Sequence, residues 1–340
     1  MDDIEFTKRD PLHSYKAVCA KLGLIMCVYY ICRILNGLVL YILLNPLRTL
    51  GDSGSYIIQT AIAVLFTYII PILIAAVLFH SFERYKGKFR ELYKKPRRLA
   101  RAFGSLPATY GLGVGVALLT FLTSLLISRL SGGQSFVEDL FRPTTIEPST
   151  NIPSMLTMVF LLVVIAPIFE EFFVRGILYD ALKPFGCGMA IIISSVVFGL
   201  MHGSLYMLFY STALGFALGY LRYATGSIFV STIFHAMINA ISAGLLVLSS
   251  LREMLGEGHK SLNTIASTYM LAMVVLMIVG VIAFIRKIPV IRKYRIDNNW
   301  PEVGAGKKTA LFFLSIPVIL MLVFAFNEHT NNWLVRLIIR

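Results

Sequence analysis

Residues Pro153 to Arg175 read PSMLTMVFLLVVIAPIFEEFFVR, an apolar run that ends in two adjacent glutamates and an arginine. A helix needs about 20 apolar residues to cross the hydrocarbon core of a bilayer, and this run is long enough. Ionised side chains at membrane depth cost free energy unless they are paired or face a water-filled cavity. The run therefore predicts a membrane-spanning helix that carries a functional site at one end.

The whole chain has the composition of a membrane protein. Of its 340 residues, 57% are hydrophobic and 14% are charged, and the mean hydropathy is +0.76. This composition excludes an ordinary soluble fold and predicts an all-α polytopic bundle of about eight to nine transmembrane helices. The predicted apolar runs are Leu22–Leu44, Ile57–Phe82, Leu106–Ser128, Pro153–Arg175, Cys187–His202, Met207–Leu221, Ile228–Leu248, Ile265–Ile285 and Ala310–Phe326.

Basic residues are concentrated in two segments between apolar runs. Residues 83–101 have nine basic and two acidic side chains, residues 286–308 have seven and two, and together they hold twelve of the thirteen net positive charges. Loops rich in Lys and Arg stay in the cytoplasm. We therefore expect these segments and the N-terminus to be cytoplasmic, and we expect no nucleic-acid partner. Without a eukaryotic targeting segment, a multi-pass protein of a bacterial plasma membrane is favoured.

Six polar residues of the fourth, fifth and seventh apolar runs form the candidate site. They are Glu170, Glu171, Arg175, His202, His235 and Asn239. On a helix, Glu171 and Arg175 are four residues apart and can pair, whereas Glu170 is rotated by about 100° from its neighbour. One acid is therefore predicted to be structural and the other reactive. His235 and Asn239 are also four residues apart and share a helix face.

Two chemistries are open to these residue types. A carboxylate beside an imidazole can hold and deprotonate a water, while an imidazole and an amide donate hydrogen bonds to a developing oxyanion. In the alternative, Glu170, His202 and His235 bind a divalent metal, zinc, which activates the water. Each residue alone also has a packing interpretation, but the set together favours a functional site. Both chemistries predict hydrolysis of a peptide bond, with no cofactor or with zinc.

The motifs EExxxR, FxxxH and HxxxN occur in that order over about seventy residues. This order resembles the CPBP family of membrane proteases, which includes the CAAX prenyl endopeptidases and many bacterial bacteriocin-processing or immunity proteins. The resemblance covers roughly Met155 to Leu248. It implies three regions: 1–152 with three N-terminal transmembrane helices and their loops, 153–250 as a CPBP-like catalytic core, and 251–340 with the C-terminal transmembrane helices.

The resemblance also implies a role for each motif residue. Glu170 would activate the hydrolytic water, with the next glutamate and Arg175 in support. His202 would help to hold that water, and His235 and Asn239 would stabilise the oxyanion. In the metal alternative, His235 would be a ligand. The expected partners are the lipid bilayer and a membrane-associated protein or peptide substrate, and no oligomer is predicted.

Other classes are less well supported by the residues. Neither His202 nor His235 is followed by Glu, as the zinc motif HExxH requires, and no Asp lies in the core of an apolar run. A non-catalytic scaffold or bacteriocin-immunity protein that binds a peptide remains an alternative. A proton-coupled transporter is a weaker one, because a second copy of the two glutamates is not found elsewhere in the chain.

Overall fold

The computed structural model describes residues 11–48, 51–78, 96, 99–130, 148–256, 258–293 and 303–329. Within these residues the chain is helical and forms no strand, which confirms the predicted all-α fold. Nine helical segments in the described ranges correspond to the nine predicted apolar runs, and a short helix at Leu99–Phe103 precedes the third. They are α1 (Pro11–Arg48), α2 (51–78), α3 (Leu106–Leu130), α4 (Ile152–Phe185), α5 (Cys187–Leu200), α6 (Leu205–Thr225), α7 (Ile228–Leu255), α8 (Lys260–Lys293) and α9 (305–329).

Fewer of these segments qualify as membrane spans than the eight to nine expected. In the described ranges, six helices are long and apolar enough to cross a bilayer, and α9 adds a seventh if its two bent parts count as one span. Helix α5 has only 14 residues, or about 21 Å, against a hydrocarbon core of about 30 Å. Helix α6 is long enough, but its Tyr, Gly, Ser and Thr residues lower its hydropathy.

The predicted cytoplasmic segments are described only in part. Most of residues 83–101, and residues 294–302 of the second segment, lie outside the described residues. Residues 286–293 continue α8 as helix, and α9 begins at Ala305. Part of the basic charge therefore lies on helix ends and not in a loop.

Three π-helical turns interrupt the helices that surround the candidate site. They lie at Leu65–Ile69 in α2, and at Leu161–Ile165 and Phe172–Leu178 in α4. The first two turns are each followed by a proline, Pro71 or Pro167, which has no N–H to donate to the carbonyl four residues before it. A π turn changes which side chains face a neighbouring helix, and such turns occur frequently at functional sites.

Glycines allow two pairs of helices to approach closely. A Cβ added at Gly111 of α3 would overlap the backbone of Gly280 in α8. In the pair α5 and α6, a Cβ at Gly199 would meet the backbone of α6, and one at Gly215 would lie 3.1 Å from Cα of Ser195. Small residues at such crossings let membrane helices pack through their backbones. The glycines at 111 and 215 therefore serve helix packing.

Helix α9 is bent by 68° between Ala305–Phe313 and Ile316–Phe326. The bend is stabilised by Ser315, whose hydroxyl donates to the carbonyl of Phe312 at 2.9 Å. In the first part, the buried Lys308 donates from Nζ to the carbonyl of Phe185 at 2.6 Å. The second part packs along α1. The C-terminal helix is thus fixed at the corner where α4 ends and α5 begins.

Candidate active site

The centre of the site is an ion pair between Glu171 and Arg175 in α4. Both side chains are fully buried, and Oε1 of Glu171 lies 3.1 Å from Nη1 of Arg175. Nη2 of Arg175 donates to the carbonyl of Gly215 in α6 at 2.8 Å, and the guanidinium lies 4.7 Å from the ring centroid of Phe198 in α5. The ion pair that the four-residue spacing predicts is therefore confirmed. Through the contacts of Arg175, the pair also links α4 to α5 and α6.

His235 of α7 lies against both glutamates. Its Nδ1 is 3.2 Å from Oε1 of Glu171, and since an ionised carboxylate only accepts, Nδ1 is the donor. Its Nε2 is 3.8 Å from Oε2 of Glu170. The imidazole is 3% exposed and has one carboxylate near each ring nitrogen.

Glu170 has different surroundings from Glu171. Its side chain is 13% exposed, whereas that of Glu171 is completely buried. Its Oε1 accepts a hydrogen bond of 3.0 Å from the hydroxyl of Tyr68 in α2. The two acids therefore have different surroundings: Glu171 is enclosed by an arginine and a histidine, whereas Glu170 is partly exposed and bonded to Tyr68.

His202 follows the C-terminal end of α5 and reaches the site through an aromatic contact. Its Nδ1 donates to the carbonyl of Phe198 at 2.7 Å, because a carbonyl can only accept. The ring of Phe198 lies edge-on to His202 at 4.8 Å and to His235 at 5.5 Å.

Asn239 lies one helical turn beyond His235 and makes a different contact. Its Nδ2 donates to the carbonyl of Leu162 at 2.8 Å, in the first π turn of α4. The asparagine therefore joins α7 to α4 beside the cluster, and its hydrogen bond is not to the glutamates or histidines. An Asn amide has two N–H donors, and this bond occupies one of them.

The side chains considered as zinc ligands do not form a coordination group in this arrangement. Among the described residues, which include Glu170, His202 and His235, no three His, Cys, Asp or Glu side chains are placed to hold a metal ion. The zinc site expected in the alternative chemistry would need about three such ligands around one point. Glu170, His202 and His235, as the structure places them, therefore do not fit a zinc site.

Two contributors to the site were missed by the sequence reasoning, and both are in the N-terminal helices. Tyr68 donates to Glu170, as described above. Arg33 of α1 donates from Nη1 to the carbonyl of Met201 at 3.2 Å and to the hydroxyl of Tyr29 at 3.0 Å. The sequence indicates that each needs a polar partner, because a tyrosine hydroxyl or an arginine inside an apolar run must be hydrogen-bonded, but it does not identify that partner.

The fold and this cluster define an all-α, multi-pass membrane protein whose ionisable residues meet among α4, α5 and α7. Comparison with protein families gives the class more specifically. Residues 152–241 match the family described as Rce1-like, type II CAAX prenyl endopeptidase Rce1-like. This match confirms the family resemblance predicted from the motifs and supports an intramembrane CAAX-type protease. Comparisons with curated proteins and with solved structures found no match.

Proposed function

We propose that this chain is an intramembrane endopeptidase that hydrolyses a peptide bond of a membrane-associated protein or peptide. The observation that carries the proposal is the gap of 3.8 Å between Oε2 of Glu170 and Nε2 of His235. Two polar atoms at this separation are too far apart for a good direct hydrogen bond, and a water can bridge them. The family match over residues 152–241 supports the same activity.

Glu170 is the base in this proposal. The bridging water donates one proton to the Glu170 carboxylate while its oxygen attacks the carbonyl carbon of the scissile bond. Glu170 then passes that proton to the amide nitrogen as the C–N bond breaks, and the water's second proton stays on the new acid group, so the products are a carboxylic acid, which then ionises, and a free amine. The Nδ1–H bond from His235 to Glu171 favours the tautomer whose Nε2 accepts from the water.

The neighbouring residues orient the reactants. His202 is held through Nδ1 by Phe198, so its other ring nitrogen is a second acceptor for the water. The water has two protons, and it therefore donates to Glu170 and to one of the two imidazoles at a time. Asn239 stabilises the negative charge that develops on the carbonyl oxygen, with the N–H that Leu162 does not use. His235 has no N–H left for this role, because its Nδ1 donates to Glu171 and its Nε2 accepts from the water. Glu171 and Arg175 hold His235 and the helices in place and do not exchange protons with the substrate.

We propose a mechanism without a metal, because the side chains are not gathered into a coordination group. The test is metal analysis of the purified protein, combined with a chelator titration of its peptidase activity. We expect turnover to survive chelation. Stoichiometric zinc whose removal stops cleavage, and whose return restores it, would overturn this part of the proposal.

The proposed activity can be tested with a peptide that ends in a farnesylated CAAX sequence with a free carboxylate, carrying a quenched fluorophore pair. Purified wild-type protein and Glu170→Gln are reconstituted into liposomes with this probe. We expect wild-type protein to cleave it and the variant to be slower by at least about 100-fold, since the amide keeps the volume and loses the base. Equal rates in both proteins would contradict the role of Glu170.

The same assay separates the proposal from a binding protein. Folded wild-type protein that leaves the probe intact would overturn CAAX-type cleavage and favour a non-catalytic scaffold or immunity protein. The intact cluster argues against that alternative, because Glu170 is partly exposed and is not used in the structural ion pair.

The remaining parts of the proposal concern location and organisation. We propose a bacterial plasma membrane with the N-terminus in the cytoplasm, because most of the excess positive charge lies in residues 83–101 and 286–308. Residues 153–250 form the catalytic core between the helices of 1–152 and 251–340. Fusing a reporter enzyme after residue 90 or residue 140 tests the orientation, and an active reporter on the cytoplasmic side at residue 140 would contradict it.

A further inference from the structure

Tyr68 contacts the proposed base from outside the segment that matches the family. Helix α2, which carries Tyr68, precedes the matched residues 152–241 by a long stretch of chain. Its hydroxyl donates to Oε1 of Glu170 at 3.0 Å, a contact between residues 102 positions apart. Hydrogen bonds to an ionised carboxylate are stronger than neutral ones, so this bond restricts the carboxylate.

The tyrosine is itself held in one orientation. Its ring stacks on that of Phe169, the residue before Glu170, with centroids 5.5 Å apart and planes at 22°. It also lies in the π turn Leu65–Ile69, three residues before Pro71. Both the ring contact and the local backbone therefore direct the hydroxyl toward Glu170.

The two oxygens of Glu170 consequently have different tasks. Oε1 accepts from Tyr68, and Oε2 faces Nε2 of His235 across 3.8 Å. A freely rotating carboxylate would present either oxygen in many directions, whereas this one presents a single oxygen to the water position. Catalysis depends strongly on such placement, because a small misorientation of a reacting group lowers the rate by orders of magnitude.

We infer that Tyr68 is a positioning residue of the active site, which fixes the Glu170 carboxylate so that Oε2 takes the proton from water. The inference rests on the proposed function, because it assumes that Glu170 is the base. It also gives α2 a part in catalysis, which acts through Glu170.

Tyr68→Phe is the variant that tests this inference, since it keeps the ring stacked on Phe169 and removes only the hydroxyl. With the farnesylated CAAX probe in liposomes, we expect kcat to fall by about 10- to 100-fold and KM to stay within about twofold. A general loss of folding would instead reduce the active fraction, which thermal unfolding of the purified variant measures. Tyr56→Phe in the same helix is the matched control, because Tyr56 lies twelve residues, about 18 Å of helix, before Tyr68.

A spectroscopic measurement tests the contact itself without any substrate. The infrared carboxylate band of Glu170 is identified as the band that disappears in Glu170→Gln. We expect Tyr68→Phe to shift this band and Tyr56→Phe to leave it in place. A shifted band with reduced kcat supports the inference.

The outcomes separate this inference from the proposed function. If Glu170→Gln is inactive but Tyr68→Phe has the wild-type kcat, the role of Tyr68 is wrong and the proposed function stands. If Glu170→Gln cleaves at the wild-type rate, the proposed function is wrong, and the inference that depends on it is overturned too. An unshifted band in Tyr68→Phe overturns the contact in either case.

Discussion

Two helix contacts in this protein, α4 with α7 and α3 with α8, are held by different forces. Helices α4 and α7 meet through charged and polar groups, including the 3.2 Å contact between Glu171 and His235. Helices α3 and α8 meet through the backbones of Gly111 and Gly280, which leave no room for a side chain between them. In lipid, close packing alone can associate helices, so ionisable groups are not needed for stability.

The comparison shows what the polar contact is for. Burying an ion pair gives little net stability over apolar packing, because desolvation offsets the attraction. Over their described residues, helices α3 and α8 pack tightly without a buried ion pair. The desolvation free energy spent on the charged groups between α4 and α7 is therefore explained by function and not by stability. The two contacts should therefore respond differently to substitution.

Removing the ion-pair partner of Glu171, the residue through which α4 contacts α7, should have the largest effect on folding. Arg175→Ala leaves Glu171 fully buried without its arginine, which is expected to cost about 3–5 kcal/mol. We expect a strong loss of folded protein in membranes, measured as the monodisperse fraction after extraction and as the unfolding temperature. Arg129→Ala, at the exposed end of α3, is the matched control and should extract like wild-type protein. Normal folding of Arg175→Ala would mean that the pair is not structural.

Breaking the glycine contact should have an intermediate effect and spare the chemistry. Gly111→Leu forces α3 and α8 apart and is expected to cost about 1–3 kcal/mol of stability, as other overpacked sites do. The fraction that remains folded should cleave the farnesylated probe with a kcat within about twofold of wild type. Gly37→Leu is the control, because a Cβ at Gly37 meets nothing within 4 Å. A large loss of kcat in folded Gly111→Leu would show that the two contacts are coupled.

A neutral hydrogen bond near the site should have the smallest effect. The hydroxyl of Tyr30 in α1 donates to the carbonyl of Leu200 at 2.8 Å, where α5 ends before His202. Tyr30→Phe removes this bond and should lower stability by about 1 kcal/mol, measured by thermal unfolding in nanodiscs. Tyr41→Phe is the control, since Tyr41 is 78% exposed. A loss as large as that of Arg175→Ala would contradict the distinction between charged and neutral links.

Much of the fold could be predicted from the sequence because membrane helices have a simple local signature. Each of the nine apolar runs is helical in the described residues, since run length and hydropathy are local properties. The pair Glu171 and Arg175 was predictable for the same reason, because both residues lie on one helix face. The number of spans was less predictable, because whether a short helix such as α5 crosses the bilayer depends on its tilt and neighbours.

The parts of the site that depend on contacts between distant helices could not be predicted. No spacing in the sequence relates Tyr68 to Glu170, which lie 102 residues apart. Asn239 was expected to face the reactive groups, but its amide donates to the carbonyl of Leu162, which the π turn at Leu161–Ile165 presents. A π turn changes the helical phase by one residue, and residue patterns that assume 3.6 residues per turn do not detect it.

Glu170 is proposed to act as the base and Glu171 to stabilise the fold, and paired amide variants test this difference most directly. Glu170→Gln and Glu171→Gln are purified in parallel, and each is measured for folded yield and for kcat with the farnesylated probe. We expect Glu170→Gln to fold like wild-type protein and to lose at least about 100-fold in kcat, because it loses only the base. We expect Glu171→Gln to lose folded protein, because Arg175 is left buried without a counter-ion. A well-folded but inactive Glu171→Gln beside an active Glu170→Gln would contradict the account.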